Sequence, residues 1–398
     1  MKLMNQWLRK GVVMAMAILC GVSLFAAENQ GAKNSSGKPV AGSNDWKKEG
    51  KEYVSSLPSL PIPSDPVFSV GPAGQYKDIA SAIAALPATG GTVRIASGIY
   101  EIQEAIRIPS NVALIGEGAS TRIQMKPEIL AHILTNANHD KGNQNILIRG
   151  LVLAGNLNSG GKPPQPGNLV AGNDNCRGIY FNRVTDAQVL DCFITETGTN
   201  PFLAEKSQNI VFAHNEEKFC FHCLNFTLCK NVTVAYNSAI QKWSGEAPYF
   251  NSTHHSRVFK NYIERMGMDG MAFDFNSSYN EIHDNLVIGS NLNGILLNRN
   301  AHHNTVHNNV IKNNGAYRNN PFDRMDGIHL ASGASNNTIS NNVCMDDQSN
   351  PTQRYGIYIR DATCRDNIIS GNKFSGNTAG EIKDLKTNTK AQEPKTVK

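Results

Sequence analysis

Three short segments in the middle of the chain share one pattern: Arg257-Val-Phe-Lys-Asn261, Glu281-Ile-His-Asp-Asn285 and Asn304-Thr-Val-His-Asn-Asn309. Each ends on an asparagine that follows an apolar residue by three positions, and these asparagines lie 24 residues apart. The same pattern recurs upstream and downstream. Its further members are Asn215, Asn237, Asn342 and Asn372, with Cys192 and Gly150 in the same slot.

A period in the twenties with one short apolar strand in each unit indicates a solenoid, because no unit can bury its hydrophobic face alone. Leucine-rich repeats are the main alternative, and they are disfavoured because no leucine consensus recurs. Asparagine suits the turn of a stacked coil, since its amide can bond the identical amide one rung away. The sequence therefore predicts an all-β, right-handed parallel β-helix with rungs about 4.8 Å apart.

A second strand precedes each asparagine by about a dozen residues and begins with glycine, as in Gly270-Met-Ala-Phe, Gly294-Ile-Leu-Leu and Gly327-Ile-His-Leu. Strand alternation places Ile295 and Leu297 inward and Leu296 and Asn298 outward. Small residues recur eight positions before each asparagine, as an inward-facing corner requires. They are Ser207, Cys229, Thr253, Ser277, Ala301, Ala334 and Cys364.

The flanking segments differ from the repeat. Residues 1–26 have the basic start and apolar run of a secretory signal peptide, which predicts a secreted or periplasmic protein with no membrane span after cleavage. Residues 27–70 are expected to form a linker or surface arm, anchored by Trp46, Tyr53 and Val54. An amphipathic helix from Tyr76 to Leu86 would cap the solenoid domain (71–378), and a polar tail (379–398) follows.

Net charge and cysteine content bear on three features: a nucleic-acid partner, a disulfide framework and a metal site. Three of the formal +5 charges lie in the signal peptide, which leaves about +2 and gives no indication of a nucleic-acid partner. The seven cysteines after residue 26 are an odd number, which argues against a disulfide framework. Cys220-Phe-His-Cys223 has metal-like spacing, but alternation turns His222 away from Cys223, so packing in the core explains the segment better.

The N-terminal rungs carry the most specific motifs. They contain Gly90-Gly-Thr-Val, Ile108-Pro-Ser-Asn-Val and Ile115-Gly-Glu-Gly118 after the expected helix. This arrangement resembles the opening of the pectate-lyase-like superfamily of right-handed β-helix carbohydrate-active proteins. The resemblance covers about residues 70–378 and implies a polysaccharide partner, while the superfamily includes lyases, uronate epimerases, glycoside hydrolases and binding proteins.

Three rungs are longer than the others, and their additional residues fall between the asparagine strand and the glycine strand. The insertions are 156–175, 313–325 and 344–355. Insertions on one edge of a solenoid usually flank a binding face. The sequence therefore predicts a groove along the outward side of the glycine strands.

Four outward residues are the candidate catalytic groups: Asp274, His329, Tyr249 and His254. Asp274 and His329 lie two rungs apart, about 10 Å along the axis, so they would act on opposite sides of a sugar. The segment Gly270–Asp274 resembles the rung of mannuronan C5-epimerases that carries a functional aspartate. The Asp-Pro-His-Glu motif of that family is absent at 249–254, and so are the polygalacturonase motifs.

The expected substrate-binding residues are polar or aromatic groups on the same face. They are Arg299, Asn298, Asn251, Tyr358, Arg360, Asp269 and Asp326. Asp269 and Asp326 also have the spacing of an inverting glycosidase pair. However, each precedes a glycine, and the interpretation as turn residues is favoured.

The expected protein is a monomer that acts on a polysaccharide. A face that contains arginine suits an anionic polymer best. Uronate lyase or C5-epimerase chemistry is favoured over glycoside hydrolysis, with a non-catalytic glycan-binding protein as the alternative class. Proton abstraction from C5 needs a base, a Tyr or His acid, and either arginine or Ca²⁺ to neutralise the carboxylate. The sequence identifies no metal ligands, so no cofactor is predicted beyond this role for Ca²⁺.

Overall fold

A computed structural model describes residues 44–165, 167–318, 321–385 and 390–391. Within these ranges the chain forms three parallel sheets, one of 13 strands and two of 11. The predicted signal peptide, residues 1–26, lies outside the described residues. The prediction of an all-β, parallel β-helix with an N-terminal helix is confirmed.

Two helices precede or interrupt the strands, α1 (Asn44–Ser56) and α2 (Ile79–Ala84), and Gly118–Ser120 forms a 3-10 turn. The strands follow in chain order: β1 Val67–Val70, β2 Gly91–Ile95, β3 Gly98–Ile102, β4 Ile106–Ile108, β5 Val112–Ile115, β6 Thr121–Met125, β7 Leu134–Asn136, β8 Asn143–Arg149, β9 Val152–Ala154, β10 Ile179–Asn182, β11 Val184–Leu190, β12 Phe193–Thr195, β13 Phe202–Glu205, β14 Gln208–Ala213, β15 Glu216–Lys218, β16 Asn225–Thr227, β17 Lys230–Ala235, β18 Ser238–Ile240, β19 Tyr249–Asn251, β20 Arg257–Phe259, β21 Tyr262–Glu264, β22 Met271–Asp274, β23 Glu281–His283, β24 Leu286–Ile288, β25 Ile295–Leu297, β26 Thr305–His307, β27 Val310–Lys312, β28 Ile328–Leu330, β29 Thr338–Ser340, β30 Val343–Met345, β31 Tyr355–Ile359, β32 Ile368–Ser370, β33 Lys373–Ser375, β34 Gly380–Asp384 and β35 Lys390–Ala391.

From β2 onward every third strand belongs to the same sheet. Sheet 1 contains β1, β2 and then β5 to β35; sheet 2 runs from β3 to β33; sheet 3 runs from β4 to β34 and contains the predicted glycine strands. One rung is therefore a strand from each sheet in turn, for example β20, β21 and β22. The rungs stack in register, with Val258 beside Ile282 and Ile282 beside Val306.

The asparagines of the repeat form the predicted ladder at the turn between sheets 1 and 2. The side-chain amide of Asn261 donates to Asn285 Oδ1 at 2.9 Å, and Asn285 donates to Asn309 Oδ1 at 2.9 Å. Equivalent bonds link the series from Asn215 to Asn372. The prediction of one continuous asparagine ladder is confirmed.

A second ladder, which the sequence analysis missed, occupies the turn between sheets 3 and 1. Asn280 donates to Asn304 Oδ1 at 3.0 Å, and the series continues through Asn337 to Asn367, each step at 3.0 Å. These residues are at most 2% exposed. The small residues predicted at the neighbouring corner are also buried, Ser277 and Ala301 among them.

The core is a continuous apolar column inside the three sheets, and α2 closes its N-terminal end. Ile79, Ala82 and Ile83 of α2 belong to the core, and Asp78 caps the helix by accepting a hydrogen bond from the Ser81 N–H at 2.7 Å. Phenylalanine rings follow one another along sheet 3, for instance Phe250 and Phe273, which meet edge to face with ring centroids 5.2 Å apart. Burial of this apolar column stabilises the fold.

Helix α1 differs from the irregular arm expected at 27–70. Trp46 donates its indole N–H to the Lys260 carbonyl at 2.5 Å, and the Tyr53 ring lies 5.2 Å from that of Tyr236. Gly50 lies against His214, where an added Cβ would come within 2.5 Å of the imidazole. The helix thus packs along the ladder turn between sheets 1 and 2, on the side away from the glycine strands.

Candidate functional site

All three insertions leave the solenoid at the same corner, between sheet 2 and sheet 3. Residues 156–175 lie between β9 and β10, residues 313–325 between β27 and β28, and residues 344–355 reach from the end of sheet 2 to β31. In sheet 3 the strands that follow the first two insertions, β10 and β28, are six rungs apart. The outer face of sheet 3 between them, from β10 to β28, is called the candidate face below.

The insertions are anchored to this corner by specific contacts. Leu157 and Val170 of the first insertion form a buried cluster with Phe221, two rungs further along. In the second, Arg324 reaches back to Asp269, with Nη1 3.4 Å from Oδ2. In the third, Arg354 pairs with Asp326 at 3.0 Å. The loops therefore form a wall along one edge of the candidate face.

Tyr249, Asp274 and Arg299 come together on the candidate face. The Tyr249 hydroxyl lies 3.3 Å from Asp274 Oδ2, and Arg299 Nη1 lies 2.6 Å from the same oxygen. Asp274 Oδ1 accepts the Phe275 N–H at 3.1 Å. Strand pairing explains the placement, because β19 and β22 are neighbours and Asn251 stands beside Asp274.

Burial and neighbouring charges shift the pKa values of Asp274 and Tyr249. Burial raises the pKa of Asp274, while Arg299 and the Phe275 N–H oppose the increase. Burial, with the nearby charges of Asp274 and Glu246, raises the pKa of Tyr249, so its phenol stays protonated. The Arg299 side chain is 50% exposed. It can therefore reach a ligand in the groove while it holds Asp274.

His329 lies on the same face but is not accessible, contrary to the predicted outward exposure. Its side chain is fully buried, with Nδ1 2.9 Å from Asp326 Oδ2 and the ring 5.1 Å from that of Tyr358. Its Nε2 has no hydrogen-bond partner among the described residues. Rungs about 4.8 Å apart let neighbouring outward side chains cover one another. His329 therefore cannot touch a substrate in this conformation.

The other predicted residues divide between the face and its surroundings. Asn251 is half-buried, Asn298 and Tyr358 are buried and Arg360 is exposed. His254 lies instead at the turn from sheet 3 to sheet 1, with Nδ1 2.8 Å from Ser278 Oγ. No contact joins His254 to Tyr249 or Asp274 among the described residues.

Asp269 and Asp326 are buried structural carboxylates. Asp269 accepts hydrogen bonds from Asn293 at 2.8 and 3.0 Å, and Asn293 in turn accepts the Asp326 N–H at 2.9 Å. Asp326 also binds both His329 and Arg354. This arrangement agrees with the interpretation as turn residues and disfavours an inverting pair, since Asn293 stands between the two carboxylates.

Glu246 is the residue of this site that the sequence analysis missed. Counting back along paired strands from Tyr249 and Ala272 aligns Glu246 with Asp269. Its side chain is 6% exposed. The residue intervals between positions 246, 269, 293 and 326 follow the intervals of the asparagine ladder. However, the segment Gly245-Glu-Ala-Pro-Tyr249 has no glycine two residues before Tyr249, at the position where the other strands of this pattern have one.

Two open pockets lie away from the candidate face, one of about 580 Å³ beside α1 and one of about 700 Å³ beside α2. In the described ranges no three His, Cys, Asp or Glu side chains converge as metal ligands. The seven cysteines of this part of the chain are unpaired and buried.

The comparisons with known proteins agree on the fold. The family described as "Periplasmic copper-binding protein (NosD)" matches residues 225–390. No curated protein matches by sequence. Among the described helices, none is both long and apolar enough to cross a membrane.

Three solved structures with similar folds carry different enzyme names. The A-module of a mannuronan C-5 epimerase from Azotobacter vinelandii is 14% identical with a TM-score of 0.55, covering 79% of this chain and 94% of that one. An exopolygalacturonase from Thermotoga maritima is 12% identical with a TM-score of 0.55, covering 87% and 95%. A DFA-IIIase from Arthrobacter chlorophenolicus is 15% identical with a TM-score of 0.59, covering 80% and 86%.

These structural matches show the fold alone and leave the reaction open. The predicted resemblance to right-handed parallel β-helix proteins is confirmed as a resemblance of fold.

Proposed function

We propose that this protein is a secreted or periplasmic enzyme that abstracts the C5 proton of a uronic acid in an anionic polysaccharide, as a lyase or a C5-epimerase. The observation that carries the proposal is the contact of Tyr249 and Arg299 with one buried carboxylate, Asp274, on the candidate face. The periplasmic description of the matching family and the apolar N-terminal segment support the location. The similar fold of a mannuronan epimerase supports the substrate class.

Each residue has a distinct role in the proposed reaction. Arg299, half exposed, pairs with the substrate carboxylate and so stabilises the negative charge that develops when C5 loses its proton. Tyr249 receives the C5 proton as its own hydroxyl proton passes to Asp274. The raised pKa of Asp274 favours that transfer, because it makes the carboxylate a better proton acceptor. In a lyase the C4–O4 bond then breaks; in an epimerase a proton returns to the opposite face of C5.

The experiment uses the secreted chain with polymannuronate, polygalacturonate and a neutral glycan. Unsaturated uronates are followed by their ultraviolet absorbance, C5 epimers by proton NMR and chain cleavage by reducing ends. Tyr249→Phe should lower turnover by about 10² or more, the usual loss for a proton-transfer group. Tyr100→Phe is the matched control, because the Tyr100 hydroxyl bonds the Ala96 carbonyl near the N-terminal end.

The possible results separate the function classes. Activity on a uronate polymer that requires Tyr249 supports the proposal. Cleavage of neutral glycans with new reducing ends would indicate a hydrolase instead. Binding of a polymer without any product would indicate the glycan-binding class, and either result would refute the proposed reaction.

A further inference from the structure

The sequence Tyr-Phe-Asn occurs twice on sheet 3, once in β10 and once in β19. In both copies the strand of the next rung carries a carboxylate at the position of the asparagine, Glu205 after the first and Asp274 after the second. Tyr180 donates to Glu205 Oε2 at 2.6 Å, as Tyr249 lies 3.3 Å from Asp274 Oδ2. Sheet 3 therefore carries a second tyrosine–carboxylate pair, three rungs or about 14 Å from the first along the axis.

Tyr180 is half-buried and is fixed by its surroundings. Besides donating to Glu205, its phenol oxygen accepts a hydrogen bond from Asn182 Nδ2 at 3.0 Å. The rings of His132 and His139 each lie 5.1 Å from the tyrosine ring. The Tyr180 hydroxyl thus both donates and accepts within the protein, which suits a fixed binding surface better than a proton-transfer group.

Two exposed arginines flank this second pair. Arg107 lies on β4, and strand register places it two rungs from Tyr180. Arg183 follows β10, and its Nη1 donates to the His139 carbonyl at 3.1 Å and to Asn182 Oδ1 at 3.2 Å. Neither arginine forms an ion pair within the described ranges. Each can therefore pair with the carboxylate of a ligand.

The charged side chains of this stretch favour an anionic ligand. Lys206 follows β13 and adds a third exposed cation, one rung from Arg183. Of the carboxylates, Glu205 is bonded to the tyrosine, and Asp174 pairs with Arg177 at 2.9 Å. The exposed carboxylates nearby in the chain lie outside the strands of sheet 3, Glu104 before β4 and Asp140 after β7. An anion that follows the strands therefore meets cations whose charge no ion pair neutralises within the described ranges.

We propose that Arg107 and Arg183, around the Tyr180–Glu205 pair, form a second binding subsite for the anionic polysaccharide at the N-terminal end of the candidate face. This inference rests on the proposed function for the class of ligand. The two arginines lie two rungs apart, about 10 Å along the axis, so they would pair with carboxylates of different sugar residues. The same polymer chain would continue along sheet 3 to Tyr249. Binding at two places on one chain raises the affinity for the polymer, because the second contact becomes intramolecular.

The test removes the two cations together. When Arg107→Gln is combined with Arg183→Gln, the dissociation constant for polymannuronate or polygalacturonate, measured by isothermal titration calorimetry at low salt, should rise about tenfold or more. The matched control combines Arg94→Gln with Arg257→Gln, which remove the same charge from sheet 1. In the first double variant KM should rise while kcat stays near that of the wild type, because Tyr249 and its partners are unchanged.

The outcomes separate this subsite from the proposed reaction. Far-ultraviolet circular dichroism should be the same for all of the proteins. An unchanged dissociation constant in the first double variant, or an equal rise in the sheet 1 control, would overturn this inference alone. A wild type that binds a uronate polymer through Arg107 and Arg183 but neither exchanges its C5 protons nor forms product would support the subsite and overturn the proposed function. A wild type that binds no uronate polymer would overturn both.

Discussion

Asn285 is the residue at which the ladder can be tested most directly, through the change Asn285→Ala. The side chain is fully buried and takes part in four hydrogen bonds. Its Oδ1 accepts from the backbone and side-chain amides of Asn261 at 3.0 and 2.9 Å, and its Nδ2 donates to the Val258 carbonyl and to Asn309 Oδ1, each at 2.9 Å.

The expected cost follows from which partners lose their last bond. Asn261 Nδ2 still donates to Val234 and Phe259, and Asn309 Oδ1 still accepts the Asn285 N–H. The Asn261 N–H loses the acceptor that Asn285 supplied, and the Val258 carbonyl, on a strand paired with β23, loses one donor. At about 1–3 kcal/mol for an unsatisfied buried group and about 1 kcal/mol for a further lost hydrogen bond, Asn285→Ala should lower the free energy of unfolding by about 3 kcal/mol.

The assay is urea denaturation followed by far-ultraviolet circular dichroism, with midpoint and slope compared between variants. Asn225→Ala is the control, because Asn225 is half-buried and accepts a single bond from Thr227 at 3.0 Å. It should cost less than about 1 kcal/mol. If Asn285→Ala were no more destabilising than Asn225→Ala, the ladder would not stabilise the stacked rungs as argued.

Three further predictions concern charge and burial. Arg299→Gln removes the cation that lowers the pKa of Asp274, so the pKa of Asp274 should rise and the acid limb of the pH–rate profile should move to higher pH. The control is Arg257→Gln on sheet 1, and an acid limb that does not move in Arg299→Gln would contradict the proposed pairing. His329→Gln should lower the free energy of unfolding by about 1–2 kcal/mol, because Asp326 loses one hydrogen-bond donor in a buried network. Turnover should stay near that of the wild type, and a loss of about 10² in turnover would instead support the catalytic role predicted from the sequence. Burial and the nearby Arg177 lower the pKa of His132 from 6.5 to about 4, so between these pH values the unfolded chain binds more protons than the folded chain, and the free energy of unfolding should fall by about 3 kcal/mol as the pH drops from 7 to below 4. His132→Gln should reduce this fall, and an equal fall in the variant would refute the role of His132.

The fold could be predicted because its signals are local and repeated. Asn261, Asn285 and Asn309 each occupy the same turn, and one interval in the sequence corresponds to one hydrogen bond in the structure. Asn280 and Asn304 repeat at the other corner as well, but they precede the strand, whereas the predicted ladder consists of the asparagines that end each segment. The helical spacing of Trp46, Gly50, Tyr53 and Val54 was also present, in a segment whose composition favours a loop.

The candidate site was predictable only in part, since it depends on contacts between rungs and loops. Alternation placed Asp274, Tyr249 and Arg299 on one face, and the structure joins them. Alternation could not show that His329 is covered, because its burial depends on neighbouring rungs and on a network with Asp326. Glu246 was missed because it precedes a strand that lacks the usual glycine at its start.

The central claim is that the candidate face removes the C5 proton of a uronate through Tyr249. The most direct measurement is deuterium incorporation at C5 when the wild type and Tyr249→Phe are incubated with polymannuronate and polygalacturonate in D₂O, followed by NMR. The proposed mechanism predicts incorporation by the wild type on at least one of the two polymers and a rate lower by about 10² or more in the variant. Equal incorporation by both proteins, or none by the wild type, would contradict it.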